Sequence, residues 1–257
     1  MTLKFKGVNI NYSSFGKGTA LVLLHGFLEN KTMWKPFIPS FSKRHQVITL
    51  DLLGHGKTGC IGTVHTMEDM ADAVKAVLNE LKIKNSIIVG HSMGGYVALA
   101  YAEKNPNEVK GLCLMNSTAQ ADSKEKKINR DRAILAVQKS KNSFVRISIT
   151  NLFRPKNRSI FSKEIKQVKA EALKISTEGI VAALAGMKIR KGRTKLFQEL
   201  RCIKMMIIGK RDPVLDYDSL LDQTMNIDIK VVEFPDGHMS HIENKKDFLT
   251  TIMHFIE

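Results

Sequence analysis

Ser92 stands in Gly90-His91-Ser92-Met93-Gly94, a spacing that serves nucleophilic catalysis when a buried strand enters it and a helix leaves it. Both contexts are readable: Ser86 to Val89 is a short apolar run, and Tyr96 to Ala102 continues as a helix. So tight a turn strains the serine backbone and leaves room only for small neighbours, which Gly90 and Gly94 supply. It holds the hydroxyl clear of the sheet and aims the Met93 N–H, at the helix start, toward the place where an oxyanion would form. Phosphate-binding readings fail on single positions. Ser92 replaces the second glycine of G-x-G-x-x-G, and Asp51 stands where a P-loop ending in Gly56-Lys57-Thr58 needs glycine.

A serine hydroxyl is a poor nucleophile until a base takes its proton. Among eight histidines, His238 is the best placed. It follows the last strand, in Phe234-Pro235-Asp236-Gly237-His238, on a loop at the carboxyl ends of the strands, where the Ser92 turn also opens. His241 is the rival base and otherwise lines the pocket or caps a helix, and Glu243 is expected to order this loop. The acid that orients the imidazole should end another strand. Asp212 does so, following the apolar run Ile203 to Ile208 and Gly209. An Asx-type turn before Pro213 would also explain it, and Asp216, Asp218 and Asp236 are less well placed alternatives. After His25-Gly26, the Phe27 backbone N–H is the expected second oxyanion donor, with His25 turning the loop.

These residues need a scaffold of strand ends. Leu3 to Phe5 and Val8 to Tyr12 alternate around Gly7, which predicts an antiparallel pair. Ala20 to Leu24, Gln46 to Leu50, Ser86 to Val89, Val109 to Met115, Ile203 to Ile208 and Ile227 to Phe234 read as further strands, most of them buried on both faces. Thr66 to Leu81 and Asp247 to Ile256 have helical periodicity, with Thr66 and Asp69 as an N-cap signal. Alternating strands and helices predict an α/β fold with a mostly parallel sheet flanked by helices. Between Met115 and Ile203 the strand pattern stops. The chain is therefore read as one core domain, residues 1–116 and 202–257, carrying a helical insertion at 117–201. Ile134, Leu135, Val137, Ile180, Ala183, Leu184 and Met187 would form its apolar underside.

The charge lies in that insertion. The 257 residues carry a net +15, and Gln120 to Arg201 hold 21 Lys+Arg against 7 Asp+Glu, a net of +14. Phe144, Phe153, Phe161 and Phe197 are too scattered to stack nucleic-acid bases, so no nucleic-acid partner is expected. The basic face is read as solvated, or as a field that attracts acidic substrates. No apolar run approaches the roughly 20 residues of a membrane span, no signal-peptide stretch opens the sequence, and three cysteines show no CxxC spacing. The expectation is a cytoplasmic protein without a membrane partner.

Taken together, Leu24-His25-Gly26-Phe27, Asp51 to Gly56, Gly90 to Gly95, Gly209-Lys210-Arg211-Asp212-Pro213-Val214 and Gly237 to Glu243 resemble the α/β-hydrolase superfamily, in its serine-nucleophile, esterase-like branch. The order Ser92, Asp212, His238 is that superfamily's order and not that of the two protease classes. The resemblance implies an enzyme without cofactor or metal, with a helical cap over the site, that cleaves a small to medium ester through an acyl-enzyme on Ser92. It sets aside the relatives with an aspartate nucleophile, the haloalkane dehalogenases and epoxide hydrolases. Hydroxynitrile lyases, perhydrolases, carbon–carbon hydrolases, the menaquinone-pathway lyase (which Leu24 to Thr58 somewhat resembles) and slow-turnover ligand receptors keep a serine and stay open.

Overall fold

The computed structural model describes all 257 residues. Eight strands form one sheet: β1 (Thr2–Phe5), β2 (Val8–Phe15), β3 (Thr19–Leu24), β4 (His45–Leu50), β5 (Ser86–His91), β6 (Val109–Met115), β7 (Ile203–Gly209) and β8 (Lys230–Phe234). Their order is β1-β2-β4-β3-β5-β6-β7-β8. The alternating first strands pair antiparallel, β2 joins β4 antiparallel, and every later neighbour is parallel. Parallel strands covered on both faces must be apolar throughout, and β5 is buried along its whole length.

Period-2 geometry sends alternate residues to opposite layers. Val22, Leu24, Ile88, Leu112, Leu114 and Met206 face a core shared with α2 (Met67–Glu80) and α3 (Met93–Lys104). Leu21, Leu23, Val89, Met115, Met205 and Ile207 face a second core closed by Trp34, Phe37, Phe41 and α10 (Lys245–Ile256). Thr66 caps α2 by accepting from the Asp69 N–H at 3.0 Å. A 3-10 turn at Lys31–Trp34 and the short α1 (Ile38–Phe41) lie between β3 and β4. Strand β8 begins three residues later than the apolar run suggests, at Lys230.

Between β6 and β7 lie α4 (Lys124–Leu152), α5 (Ser162–Ala172), α6 (Thr177–Lys188) and α7 (Thr194–Glu199). An extended conformation at Ser140 (φ −158°, ψ 85°) breaks α4 in two. Val137, Ile180, Ala183, Leu184 and Met187 are buried, as an apolar underside requires, but Leu135 is 66 % exposed. The expectation for Leu135 is corrected: it lies off the Val137 face, with Ile134 half-buried between them. Helix α6 sits directly on core backbone. A Cβ at Gly179 would strike the Gly54 carbonyl, one at Gly186 would strike the His65 carbonyl, and the His65 N–H donates to Ala182 O at 2.9 Å. Buried Arg193 ties the region to the core through Glu68 (2.6 Å) and Glu103 (2.7 Å). Beyond β7 come α8 (Tyr217–Asp222) and α9 (Ser240–Glu243).

Candidate active site

Ser92 joins β5 to α3 at φ +50°, ψ −115°, a region that L-residues with a side chain rarely occupy. The glycines around it explain how the turn closes. A Cβ at Gly90 would overlap the Gly94 carbonyl, and one at Gly94 would come within 2.5 Å of Leu24 O. The strained turn is pinned from outside: Ser92 N donates to Met115 O (2.9 Å), and Ser117 Oγ donates to Ser92 O (2.7 Å). Met93 opens α3, so its N–H belongs to the first helical turn and has no intrahelical acceptor. Phe27 lies in the loop after β3, followed by Leu28 at φ +63°, and its N–H finds no acceptor in the protein.

The structure brings His238 and Asp212 together. Nδ1 of His238 donates to Asp212 Oδ2 at 2.7 Å, with both side chains buried. Asp212 Oδ1 accepts from the N–H groups of Val214 (2.8 Å) and Leu215 (3.2 Å), and Oδ2 also accepts from Asn116 Nδ2 (3.1 Å). Burial alone would raise this carboxyl. The His238 imidazole, with the Val214 and Asn116 donors, outweighs it and holds Asp212 below the usual carboxylate range. Ser92, His238, Phe27 and Leu28 line one cavity of about 630 Å³. Two of the three rival acids are occupied elsewhere: Asp216 caps α8 through Ser219 N (2.8 Å), and Asp236 pairs with Arg154 (3.1 Å).

His241 does not face this cavity; it is buried beside Glu29, Nε2 to Oε1 3.5 Å. Burial pushes it down to about 3, against the pull of Glu29, so it stays neutral. Glu243 orders the His238 loop, accepting from the N–H groups of Gly237 (3.1 Å) and Arg154 (3.0 Å) and from Asn157 Nδ2 (2.9 Å). His25 turns its own loop, taking the Leu52 N–H on Nε2 at 2.9 Å.

Three positioning residues escape a search for a nucleophile, base and acid. Asn116, at φ +43° just after β6, holds Asp212 and also Gly237 O (3.2 Å). Its signal was a lone amide ending a buried strand. Glu29 and His91 form the other device. His91 Nε2 faces the His238 carbonyl (3.0 Å), which can only accept. His91 Nδ1 faces Glu29 Oε2 (2.6 Å), which already accepts the Gly26 N–H at 2.8 Å. Both ring nitrogens therefore donate, and the pair is imidazolium and carboxylate. Burial opposes both charges, yet His91 holds Glu29 at about 2 and Glu29 raises His91 above the usual histidine value. This buried pair fastens the Phe27 loop, the Ser92 turn and the His238 loop to one another. Glu29, His91 and His241 also place ligand-type atoms within 4.8 Å of one another, but the His91 donations account for most of that closeness.

A model of the alpha/beta hydrolase fold matches residues 19–245. Among solved structures, a thermophilic esterase from Thermogutta terrifontis, with malate bound, superposes with TM-score 0.92 at 29 % identity, covering 99 % of this chain and 96 % of that one. The enol-lactonase of Burkholderia xenovorans also reaches 0.92, at 20 % identity, covering 100 % and 99 %, a likeness of fold alone. A putative non-heme haloperoxidase of a Mycobacterium phage is 33 % identical over 114 residues, 44 % of this chain and 41 % of that protein. The match therefore spans about two-fifths of that curated relative's length.

Proposed function

The chain belongs to the alpha/beta-hydrolase fold family, and from that membership and the Ser92 cavity we propose a serine hydrolase that cleaves a small to medium carboxylic ester through an acyl-enzyme on Ser92. One observation carries the reading: a serine on a strained turn shares a cavity with a histidine whose far nitrogen is held by a buried carboxylate. In this reading His238 takes the Ser92 proton as the hydroxyl attacks the ester carbonyl. The N–H groups of Phe27 and Met93 receive the oxyanion. Asp212 fixes the imidazole tautomer and stabilises the imidazolium. His238 then protonates the leaving alcohol, and activates the water that cleaves the acyl-enzyme. The helices of 117–201 act as the cap that closes the cavity.

The esterase at 29 % identity over nearly the whole chain supports ester cleavage. The phage haloperoxidase, matched over 114 residues, supports a second reading in which hydrogen peroxide intercepts the same acyl-enzyme and yields a peracid.

The test is labelling with a fluorophosphonate together with hydrolysis of nitrophenyl esters from acetate to decanoate. Stoichiometric labelling that disappears in Ser92→Ala, with turnover, is expected. Labelling that survives in Ser92→Ala would place the nucleophile elsewhere. Labelling without turnover of any ester, thioester or lactone would favour a ligand receptor.

A further inference from the structure

The cavity over Ser92 is lined by three cations, Lys126, Arg130 and Arg158, and by one carboxylate, Asp122. Asp122 is already committed. Arg190 Nη1 reaches it at 2.6 Å and Arg130 Nε at 3.1 Å. Two arginines thus share one acid, and Lys126 and Arg158 have no carboxylate partner. The one contact of the Arg158 guanidinium is neutral, from Nη2 to Asn151 Oδ1 at 3.3 Å. Its Nε is buried and meets no acceptor in the protein.

Lys126 and Arg158 are therefore cations on the cavity wall with no acid of their own to answer. A guanidinium offers planar pairs of donors that fit a carboxylate in bidentate fashion. Resting on the ester-hydrolase reading, we infer that the cavity holds a carboxylate subsite: the ester it cleaves also carries a free carboxylate, bound by Arg158, with Lys126 and Arg130 lining the same cavity. The cavity, about 630 Å³ and lined by both Ser92 and Arg158, has the volume for a monoester of a short dicarboxylic acid.

The experiment compares nitrophenyl hydrogen glutarate with nitrophenyl valerate, one anionic and one neutral at similar length. The full chain should favour the anionic ester in kcat/KM. Arg158→Gln should lower the anionic-to-neutral ratio by about tenfold, chiefly through KM, as the loss of one charge-assisted hydrogen bond predicts. Arg158→Lys should restore part of it. Lys246→Gln, an equal charge change on exposed α10, should leave the ratio as it was. Binding of glutarate to Ser92→Ala protein, read by calorimetry, tests the subsite without chemistry and should be lost on adding Arg158→Gln. A ratio that ignores Arg158, or glutarate binding indifferent to it, overturns the subsite. Glutarate binding that depends on Arg158, in a protein that cleaves neither ester, overturns the ester reading and leaves the subsite standing.

Discussion

At the scale of single residues, the site separates groups with a chemical role in the proposed reaction from groups that hold them in place. Asp212→Asn should lower kcat by up to ~10⁴, because the imidazole loses its orienting acceptor. His238→Ala should be comparably damaging and His241→Ala milder, since His241 is buried beside Glu29 and away from the cavity. The opposite ranking of the two histidines would move the base. The Glu29–His91 pair makes a different prediction, about stability. Glu29 is held at about 2, below its ordinary 4.5, so its contribution is present above about 4.5 and is lost as pH falls toward 2. His91 is raised above its ordinary 6.5, so its contribution is present below about 6.5 and is lost as pH climbs through the raised value. Both act together between those limits. Glu29→Gln should therefore cost about 3 kcal/mol near pH 5.5, as breaking a buried pair does, and less once pH has climbed through the raised His91 value. Urea unfolding at a series of pH values from about 5.5 upward checks it, and a loss that never diminishes while the protein stays folded would show that the pair is not ionic. Ser92, Asp212 and His238 were legible as candidates because each sits in a turn that follows an apolar strand run, with a glycine close by. Glu29, His91 and Asn116 were not, because their roles come from partners 62 and 96 residues away in sequence.

At the scale of elements, the sheet was readable because buried parallel strands are written as unbroken apolar runs. The insertion was readable only as helical and basic. The break at Ser140 has no proline or glycine to announce it; beside it, Lys141 donates to Leu173 O (3.0 Å) and Ile175 O (2.9 Å), just past α5. Leu135 is exposed for a different reason: two residues before Val137 on the same helical segment, it points to nearly the opposite side of the helix. What seats the insertion on the core is backbone against backbone at α6, and small residues in a helix rarely announce that. Gly186→Ala would drive a methyl into the His65 carbonyl. The expected cost is about 1–3 kcal/mol of overpacking, seen as a lower Tm and faster proteolysis within 117–201. Unchanged Tm and proteolysis would mean that the helix shifts freely and the seat is loose.

At the scale of the whole molecule, the charge is divided more unevenly than the mass. The stretch from Gln120 to Arg201 holds a net +14 of the total +15. Some of this is neutralised locally, as in Lys188–Asp131 and Lys174–Glu171. Along α4, Lys124, Lys126 and Lys127 are exposed, and Lys126 also lines the cavity. Such a field acts at a distance and gathers anions before any contact is made, whereas Arg158 acts by contact, so salt tells the two apart. The Debye length is about 30 Å at 0.01 M ionic strength and about 8 Å at 0.15 M. If the field steers substrate, kcat/KM for nitrophenyl hydrogen glutarate should fall by about tenfold between those conditions, and that for the valerate should hardly change. The double variant Lys124→Glu, Lys127→Glu alters the field without altering the cavity lining. It should lower the anionic rate at low salt and converge on the unmodified protein at high salt. Parallel salt responses of the two esters would confine the +14 to solvation of the insertion, and would leave discrimination between them to the cavity itself.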